Sequence, residues 1–303
     1  MPISQHSHSG QFCLHASGNL EEVIREAIKQ GFKTFAFTEH APRDHEEDLY
    51  EEEKHLKVQD LFDTFDAYYK EARRLQQAYG DRINILVGSE IDYIRPESVQ
   101  LIRSLLDKYD LDYIVGSVHH VHTIPIDFSP ALWEAALHAV NDDYEQLFVD
   151  YFDHQYEMLR QLKPLVVAHF DLIRLFSPEA GLRVFADSQK VSDRVQRNID
   201  FVNSYGGIFE LNSSAFRKGW DTAYPKKDIL QRILDSKALI TLSDDSHGPA
   251  QVGLNYHRLK QYLIDQGVQQ VAEIHRSQTE QAAKPTYKLI PIEQAWAGFV
   301  GQH

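Results

Sequence analysis

The sequence predicts an α/β fold in which parallel strands alternate with helices, and seven or eight such units close into a barrel. Short β-rich runs alternate with longer runs of helical periodicity along the chain. The 303 residues, 43% of them hydrophobic, are enough to bury a substantial core. Histidines and carboxylates stand directly after several β-rich runs. Because chemistry in such barrels lies at the carboxyl ends of the strands, we expect these side chains to share one site.

Seven segments rich in β-branched and aromatic residues predict the strands. In chain order they are residues 3–8, 33–38, 83–88, 113–117, 165–169, 207–211 and 238–243. Helical patterns follow them, and this alternation is typical of a parallel sheet with crossover helices.

Seven longer segments with apolar residues at helical spacing predict the helices. They are residues 20–30, 58–79, 96–108, 130–140, 144–162, 191–205 and 225–235. The first follows Asn19, carries Glu21 and Glu22 in its first turn and stops at Gly31, as capping and the helix dipole favour. In the fifth, aromatic and aliphatic residues repeat at helical spacing, which we interpret as a buried stripe.

We expect residues 1–303 to form a single barrel domain, because no repeat or low-complexity linker marks a boundary. The weakest patterns lie in residues 41–57 and in the tail, residues 268–303. The first segment is highly charged and fits either a lid or a solvated loop. We expect the tail to be a peripheral helix or an extension of the barrel.

Composition narrows the class of protein. The net charge of −14, without a local basic patch, argues against binding to extended nucleic acid and favours a small substrate. The chain opens without a cationic segment followed by an apolar run, and no apolar stretch approaches the roughly 20 residues that cross a bilayer, so we expect no membrane association. The single cysteine, Cys13, excludes an intramolecular disulfide and cysteine-based zinc sites, so a cytoplasmic location is expected.

Histidines and carboxylates predict a metal cluster. In an extended segment His6 and His8 point to the same side, with Ser7 turned away. Each later histidine, taken alone, is more often a hydrogen-bonded structural residue, but their recurrence at strand ends favours ligation. Glu90 and Asp245 are the expected acidic ligands, because a carboxylate can bridge two ions. The full candidate ligand set is His6, His8, His15, His40, Glu90, His119, His169, Asp245 and His247.

The ligands stand in sequence contexts that resemble a known family. The resemblance runs from His6 to about Val252 and includes residues 39–43, 116–121, 124–128, 163–172 and 210–218, whose sequences are EHAPR, GSVHHV, IPIDF, KPLVVAHFDL and ELNSSAFRK. The ordered set resembles the polymerase and histidinol phosphatase (PHP) family of metallophosphoesterases, and within it the histidinol-phosphate phosphatases of the fungal type.

The resemblance implies a distorted (β/α)7 barrel that holds three divalent ions, which we expect to be Zn, Mn or Fe. It assigns the first ion to His6, His8, Glu90 and Asp245, the second to Glu90, His119 and His169, and the third to His15, His40 and His247. Many relatives have Asp where this chain has Glu39, which we place outside the ligand set together with Asp244.

Such a cluster predicts a positive pocket that binds a phosphate ester and supplies hydroxide near neutral pH. The implied reaction is hydrolysis of L-histidinol phosphate in histidine biosynthesis. Glu90, Asp245 and Arg217 are the candidate catalytic residues, and either Asp245 or a bound water protonates the leaving group. Phosphate-binding candidates are Arg43, Arg217, His15 and His40.

Other residues and functions stay open at this point. We expect His120 to point away from the ions, leave His122 undecided, and read Asp127 either as a loop cap or as a partner for the substrate ammonium. The alternatives are a phosphoesterase of the same family acting on another small ester, a barrel amidohydrolase, and a metal-binding protein without activity. The sequence leaves the oligomeric state undetermined.

Overall fold

Parallel strands alternate with helices along most of the chain in the computed structural model, which describes residues 2–276 and 286–301. Within these residues the strands are β1 (Ile3–Ser4), β2 (Ser7–His8), β3 (Thr34–Phe37), β4 (Asn84–Val87), β5 (Ser89–Asp92), β6 (Ile114–Ser117), β7 (His120–Val121), β8 (Ile124–Pro125), β9 (Val166–Val167), β10 (Ile208–Asn212), β11 (Leu239–Ser243), β12 (Ser246–His247), β13 (Gln270–His275) and β14 (Thr286–Pro291).

The helices of the same residues are α1 (Leu20–Lys29), α2 (Val58–Tyr79), α3 (Ser98–Lys108), α4 (Pro130–Ala139), α5 (Tyr144–Leu162), α6 (Glu179–Asp187), α7 (Gln189–Tyr205), α8 (Ser214–Arg217), α9 (Lys227–Asp235), α10 (Tyr256–Asp265) and α11 (Ile292–Ala295). Among them, no helix has both the length and the apolar character needed to cross a membrane. The predicted α/β class is confirmed.

Three parallel groups of strands carry the site. They are β1-β3-β4, β5-β6-β9-β10-β11 and β12-β2. Backbone bonds join the groups: the Gln5 N–H donates to Leu242 O (3.0 Å) and the Asp245 N–H to His6 O (3.1 Å). The first and second groups also meet at an isolated parallel bridge between His40, which follows β3, and Glu90 in β5. The carboxyl ends of the parallel strands therefore lie side by side.

Several predicted boundaries change in the structure. The predicted strand 3–8 is divided into β1 and β2, because Gln5 pairs with Leu242 of β11 and His6 with Asp245 after it, instead of continuing the first ladder. The predicted strand 165–169 is reduced to β9. Helix α3 begins at Ser98 because residues 95–98 form a turn closed by the Ser98 N–H and Arg95 O.

The tail, predicted to be a peripheral helix or an extension, contains a hairpin that the sequence pattern did not predict. Strands β13 and β14 pair antiparallel in register from Gln270–Pro291 to His275–Thr286, and α11 follows. Strand β13 also packs on β11, where the Thr241 hydroxyl donates to Ala272 O (2.7 Å). Such a pairing depends on partners distant in sequence, which periodicity cannot reveal. The sequence also failed to predict α6, α8 and α10.

Local chemistry accounts for the helices that support the site. Asn19 and Glu22 form a capping box at α1, since each side chain accepts a hydrogen bond from the other's backbone N–H. Most of the predicted stripe of α5 is buried, including Phe148, Tyr151 and Phe152, whereas Tyr156 is half-buried. Burial of large aromatic side chains such as these makes α5 a rigid support for the neighbouring strands.

Candidate metal centre

A cavity of about 320 Å³ opens where the parallel strands end. Its walls include the predicted ligands His15, His40, Glu90, His119, His169, Asp245 and His247. His6 and His8 lie fully buried at its base, and their side chains approach the same carboxylate. All nine predicted ligands are therefore brought into one region, as expected from their positions at the strand ends.

The first group consists of His6, His8 and Glu90. Ser7 turns away and donates its hydroxyl hydrogen to Ala36 O (2.6 Å), so the two histidines share the opposite side of the strand. Their Nε2 atoms are 3.1 Å apart, and each lies 3.3 Å from Glu90 Oε2. Convergence of two ring nitrogens and a carboxylate oxygen suits a divalent ion.

Glu90 also contacts a second group. Its Oε1 lies 3.4 Å from His119 Nε2 and 3.2 Å from His169 Nε2, and these nitrogens are 3.3 Å apart. Ser117 donates a hydrogen bond to the same oxygen (2.5 Å). The two carboxylate oxygens of Glu90 thus face different sets of histidines, which is the geometry of a bridging ligand.

Asp245 stands between the first group and the last histidine. Its Oδ1 is 3.6 Å from His8 Nε2 and 3.8 Å from His6 Nε2, while His247 Nδ1 lies at 3.7 Å. The backbone of Asp245 has a φ of 47°. Because this left-handed conformation is uncommon for a residue with a side chain, the surrounding structure must stabilise it, and it fixes the direction of the carboxylate.

The third group contains His15, His40 and His247 together with Cys13, with one ligand atom of each within 4.8 Å of all the others. Cys13 Sγ lies 3.1 Å from His15 Nε2. A single cysteine excludes a zinc site built from cysteines alone, as the sequence predicted, yet one thiol can join a set of histidines, and the structure brings Cys13 to this group. The spacing Cys13-Leu14-His15, which matches that of His6 and His8, was the available signal.

Electrostatics keep the carboxylates ionised and two imidazoles neutral. Burial opposes ionisation of Glu90, but the neighbouring charges of His6 and His119 hold the pKa of its carboxyl well below the usual value. Burial, with His8 nearby, lowers the pKa of His40 to about 3. The pKa of His247 falls well below its usual value for the same two reasons. Neutral imidazole and ionised carboxylate are the forms that bind metal.

The donor set fits a group of divalent cations. His40 Nδ1 lies 2.9 Å from Glu90 Oε2, whereas the buried His40 Nε2 has no hydrogen-bond partner among the described residues. An unpartnered buried polar atom is costly unless an ion or another ligand satisfies it. Imidazole and carboxylate donors suit Zn, Mn and Fe, so the residues present fit the divalent ions that the family resemblance implies.

Buried carboxylates behind the histidines orient them. Glu210 Oε1 lies 2.8 Å from His6 Nδ1, and its Oε2 accepts a hydrogen bond from the His169 backbone (2.8 Å). Asp92 accepts from the His119 N–H (3.0 Å) and contacts His120 Nδ1 (2.6 Å). Glu210 and Asp92 were not among the residues predicted for the site, although a carboxylate within an apolar strand is itself a signal.

Residues predicted to lie outside the ligand set also have partners. Glu39 Oε1 accepts hydrogen bonds from the backbone and hydroxyl of Ser9, and its Oε2 lies 3.5 Å from His8 Nδ1. Asp244 accepts from the Gly253 N–H (2.7 Å) and from the hydroxyl of Ser4 (2.8 Å). Both carboxylates therefore hold backbone segments around the cluster.

The two candidate arginines occupy different places. Arg217, at the end of α8, lines the cavity together with Lys218, and its Nη2 approaches Asp245 O at 3.4 Å. Arg43 lies in a separate small cavity, where it is ion-paired with Glu53 and its guanidinium is 4.3 Å from the centroid of the Tyr50 ring. The structure thus brings Arg217, but not Arg43, to the wall that faces the candidate ligands.

Two loops complete the mouth of the cavity. The rings of Tyr50 and Phe128 stack 5.7 Å apart at an interplanar angle of 9°, and Asp127 lies beside them. His120 points to Asp92, away from the cluster as predicted. His122, left undecided by the sequence, pairs with Asp150 (2.7 Å) and is 41% exposed.

A parallel α/β fold with converging imidazole and carboxylate groups at its strand ends defines a class of metal-dependent enzymes. Within that class, the chain belongs to the PHP domain family, whose sequence model matches residues 4–214.

Curated relatives match almost the whole chain. A Schizosaccharomyces pombe protein named "Probable histidinol-phosphatase" is 58% identical over 301 residues, which cover 99% of this chain and 98% of the relative. The histidinol-phosphatase of Saccharomyces cerevisiae is 34% identical, with 96% of each chain covered. The fold is similar to that of a Lactococcus lactis histidinol phosphate phosphatase, which was solved in complex with zinc, L-histidinol and phosphate. The two structures have a TM-score of 0.61 and 17% sequence identity, and the match covers 94% of this chain and 98% of the other.

Proposed function

We propose that this protein is a metal-dependent phosphomonoesterase that hydrolyses L-histidinol phosphate to L-histidinol and phosphate in histidine biosynthesis. The observation that carries the proposal is the 58% identity to the fission yeast relative over 99% of the chain. The converging ligand groups support the same reaction, because clustered divalent ions favour phosphate ester hydrolysis.

The proposed scaffold is a single domain, residues 1–303, built as a distorted seven-unit barrel. Its support is the order of parallel pairing together with the backbone bonds from Gln5 to Leu242 and from Asp245 to His6. The same bonds hold His6 close to Asp245, so closure of the strands and assembly of the ligands depend on the same residues. The hairpin of β13 and β14 extends this scaffold at β11.

The proposed cofactors are three divalent ions, Zn, Mn or Fe. Glu90 would be shared between the set of His6 and His8 and the set of His119 and His169. Asp245 would serve the first set, and the third would use the imidazoles of His15, His40 and His247. When bound, such ions supply charge neutralisation at phosphoryl oxygens and lower the pKa of water towards about 7.

The chain's own residues would bind and orient the substrate. Arg217 and Lys218 offer positive charge to the phosphate from the cavity wall. Asp127 offers a carboxylate to the substrate ammonium, and the stacked rings of Tyr50 and Phe128 offer an apolar surface to its imidazole. Either Asp245, which lies close to Arg217, or a bound water is proposed to deliver the proton that the leaving alcohol needs.

The proposed partner is therefore a small phosphate ester, and a cytoplasmic location fits the proposed biosynthetic role. The formal net charge of −14 is unfavourable for extended nucleic acids. Selectivity for one small ester would come from contacts at the cavity mouth, because the ligand groups themselves recognise only phosphate.

The test is phosphate release by metal-loaded protein from L-histidinol phosphate, fructose 1,6-bisphosphate and p-nitrophenyl phosphate. We expect selective hydrolysis of L-histidinol phosphate, lost on chelation. His119→Ala should reduce it by more than about 100-fold, since even indirect partners of metal ligands contribute about 10–100-fold. His122→Ala is the matched control, because this exposed histidine pairs with Asp150 outside the ligand groups.

Each outcome has a distinct meaning. Hydrolysis of another ester with L-histidinol phosphate inert would retain the metal site and reject the substrate. Equal losses in His119→Ala and His122→Ala would reject the assignment of the ligand group. Absence of phosphate release from every ester by fully metal-loaded protein would reject the phosphatase function and favour amide hydrolysis or metal binding alone.

A further inference from the structure

The turn that follows β2 places a thiol beside the third ligand group. The Cys13 N–H donates to Ser9 O (3.0 Å), and the Ala16 N–H donates to Cys13 O (3.1 Å). Ser17 then pairs through its N–H with His247 O (3.0 Å), so the same turn is anchored to the segment that carries His247. Cys13 is 6% exposed, and its position is therefore set by the fold rather than by a mobile surface loop.

The three histidines around this thiol each have one nitrogen already engaged. His15 Nδ1 lies 3.0 Å from Glu52 Oε1, and His40 Nδ1 lies 2.9 Å from Glu90 Oε2. His247 Nδ1 lies 3.0 Å from Asp245 O, to which it can donate. A partner at Nδ1 fixes the tautomer that leaves Nε2 with a lone pair for a metal.

The sulfur completes this arrangement. Cys13 Sγ is 3.1 Å from His15 Nε2, and its group with His40 and His247 has one ligand atom of each within 4.8 Å of the others. Independently of the cysteine, the buried His40 Nε2 has no hydrogen-bond partner in the described part of the chain. Four donors from one sulfur and three imidazoles match the ligand number and types of a tetrahedral zinc site.

We propose that Cys13 binds the third divalent ion as a thiolate, together with His15, His40 and His247. This inference deepens the proposed function, because it rests on the proposal that a third ion is bound. Binding releases the thiol proton to solvent, and the sulfur donates an electron pair to the ion without any change in oxidation state. The third site is then closed by four protein ligands and selects a softer ion such as Zn²⁺ or Co²⁺ over Mn²⁺.

Because the third site is closed, its ion has a different role from the two ions that share Glu90. A site with four protein ligands keeps no open position for a substrate, whereas the second ion, at Glu90, His119 and His169, would have only three protein donors. The third ion then stabilises the turn of Cys13 and adds positive charge near the phosphate. Substrate chemistry is left to the ions that share Glu90.

The experiment replaces the metals of the full-length protein with Co²⁺ and records its absorption spectrum during the titration. Since Cys13 is the only cysteine in the chain, any thiolate-to-cobalt charge-transfer band reports this residue alone. We expect the intensity of the band to correspond to one bound Co²⁺ per chain and the band to be absent from Cys13→Ser. That variant should bind one of its three Co²⁺ ions at least 10-fold more weakly, while His122→Ala should retain the band.

A second measurement uses zinc and needs no variant. X-ray absorption of the zinc-loaded protein should show one sulfur per three zinc ions at about 2.3 Å. A protein that binds three Co²⁺ or Zn²⁺ ions without a thiolate band or a Zn–S shell would overturn the proposal. Hydrolysis of L-histidinol phosphate by the same cobalt sample separates the outcomes: activity without the band rejects only the thiolate, and a band without activity rejects only the phosphatase function.

Discussion

Glu210 Oε1 lies 2.8 Å from His6 Nδ1, and both side chains are fully buried. Burial opposes ionisation of Glu210, but the charge and hydrogen bond of His6 lower the pKa of its carboxyl. An ionised Glu210 accepts the Nδ1 hydrogen and leaves His6 Nε2 free to face Glu90 and an ion. Although remote from the cavity, Glu210 therefore sets the tautomer of a ligand.

Glu210→Gln should weaken metal binding without removing a ligand. Gln is nearly the same size, but it is neutral and lowers the basicity of the His6 ring. We expect a 10–100-fold loss of metal affinity or of activity, as for other partners of ligating histidines. Metal titration followed by activity measurements would show it. Recovery of most activity at excess metal is expected, and wild-type affinity in the variant would contradict a positioning role.

Arg217→Ala should reduce binding of the phosphate. The guanidinium lies on the cavity wall near Asp245, where a dianionic ester would meet it. Loss of a charge-assisted hydrogen bond of about 1.5–3 kcal/mol predicts a 10–150-fold lower kcat/KM. The exposed Arg103, which bonds Gln161, provides the control Arg103→Ala. Equal kinetics in the two variants would exclude Arg217 from substrate binding.

Asp127→Asn should separate recognition of the ammonium from recognition of the phosphate. Asp127 lines the cavity beside the stacked Tyr50 and Phe128 rings. We expect kcat/KM for L-histidinol phosphate to fall about 10-fold, close to the loss of one charge-assisted bond, with little change for p-nitrophenyl phosphate, which has no ammonium group. Parallel losses for both esters would instead mean that Asp127 acts on the loop structure.

The sequence predicts those residues of the site whose positions follow from strand alternation or from standing directly after a β-rich run. The alternation that puts His6 and His8 on one side, and the positions of Glu90 and His169 after β-rich runs, required only local pattern. The same pattern could not pair Asp245 with His247 and His8, because that grouping depends on the left-handed φ of Asp245.

Features that depend on distant contacts were missed for a physical reason. Glu210 orients His6 across 204 positions of sequence, and Cys13 meets His40 and His247 only after three distant segments converge. The hairpin of β13 and β14 docks on β11 through non-local contacts. No local propensity reports such contacts, whereas an α/β alternation is visible in each segment by itself.

Glu273 provides a pH-dependent test of how the hairpin is held. It is 5% exposed, accepts a hydrogen bond from the Thr34 hydroxyl (2.8 Å), and pairs with Lys288 Nζ (2.8 Å). Burial opposes its ionisation, but the bonds from Lys288 and Thr34 lower the pKa of the carboxyl below its usual 4.5. A depressed folded-state pKa stabilises the fold above the unfolded-state pKa.

Glu273→Gln should therefore lower the free energy of unfolding by about 1–2 kcal/mol at pH 7, as the ionised partner of two hydrogen bonds is lost. As pH falls below about 4.5 and through the lower folded-state pKa, wild type loses this stabilisation and the two curves converge. Urea unfolding of both proteins across this range measures the difference. The exposed Glu293 of α11 provides the control Glu293→Gln. If the difference in unfolding free energy between wild type and Glu273→Gln did not change with pH, the ionised carboxylate would contribute nothing to docking of the hairpin.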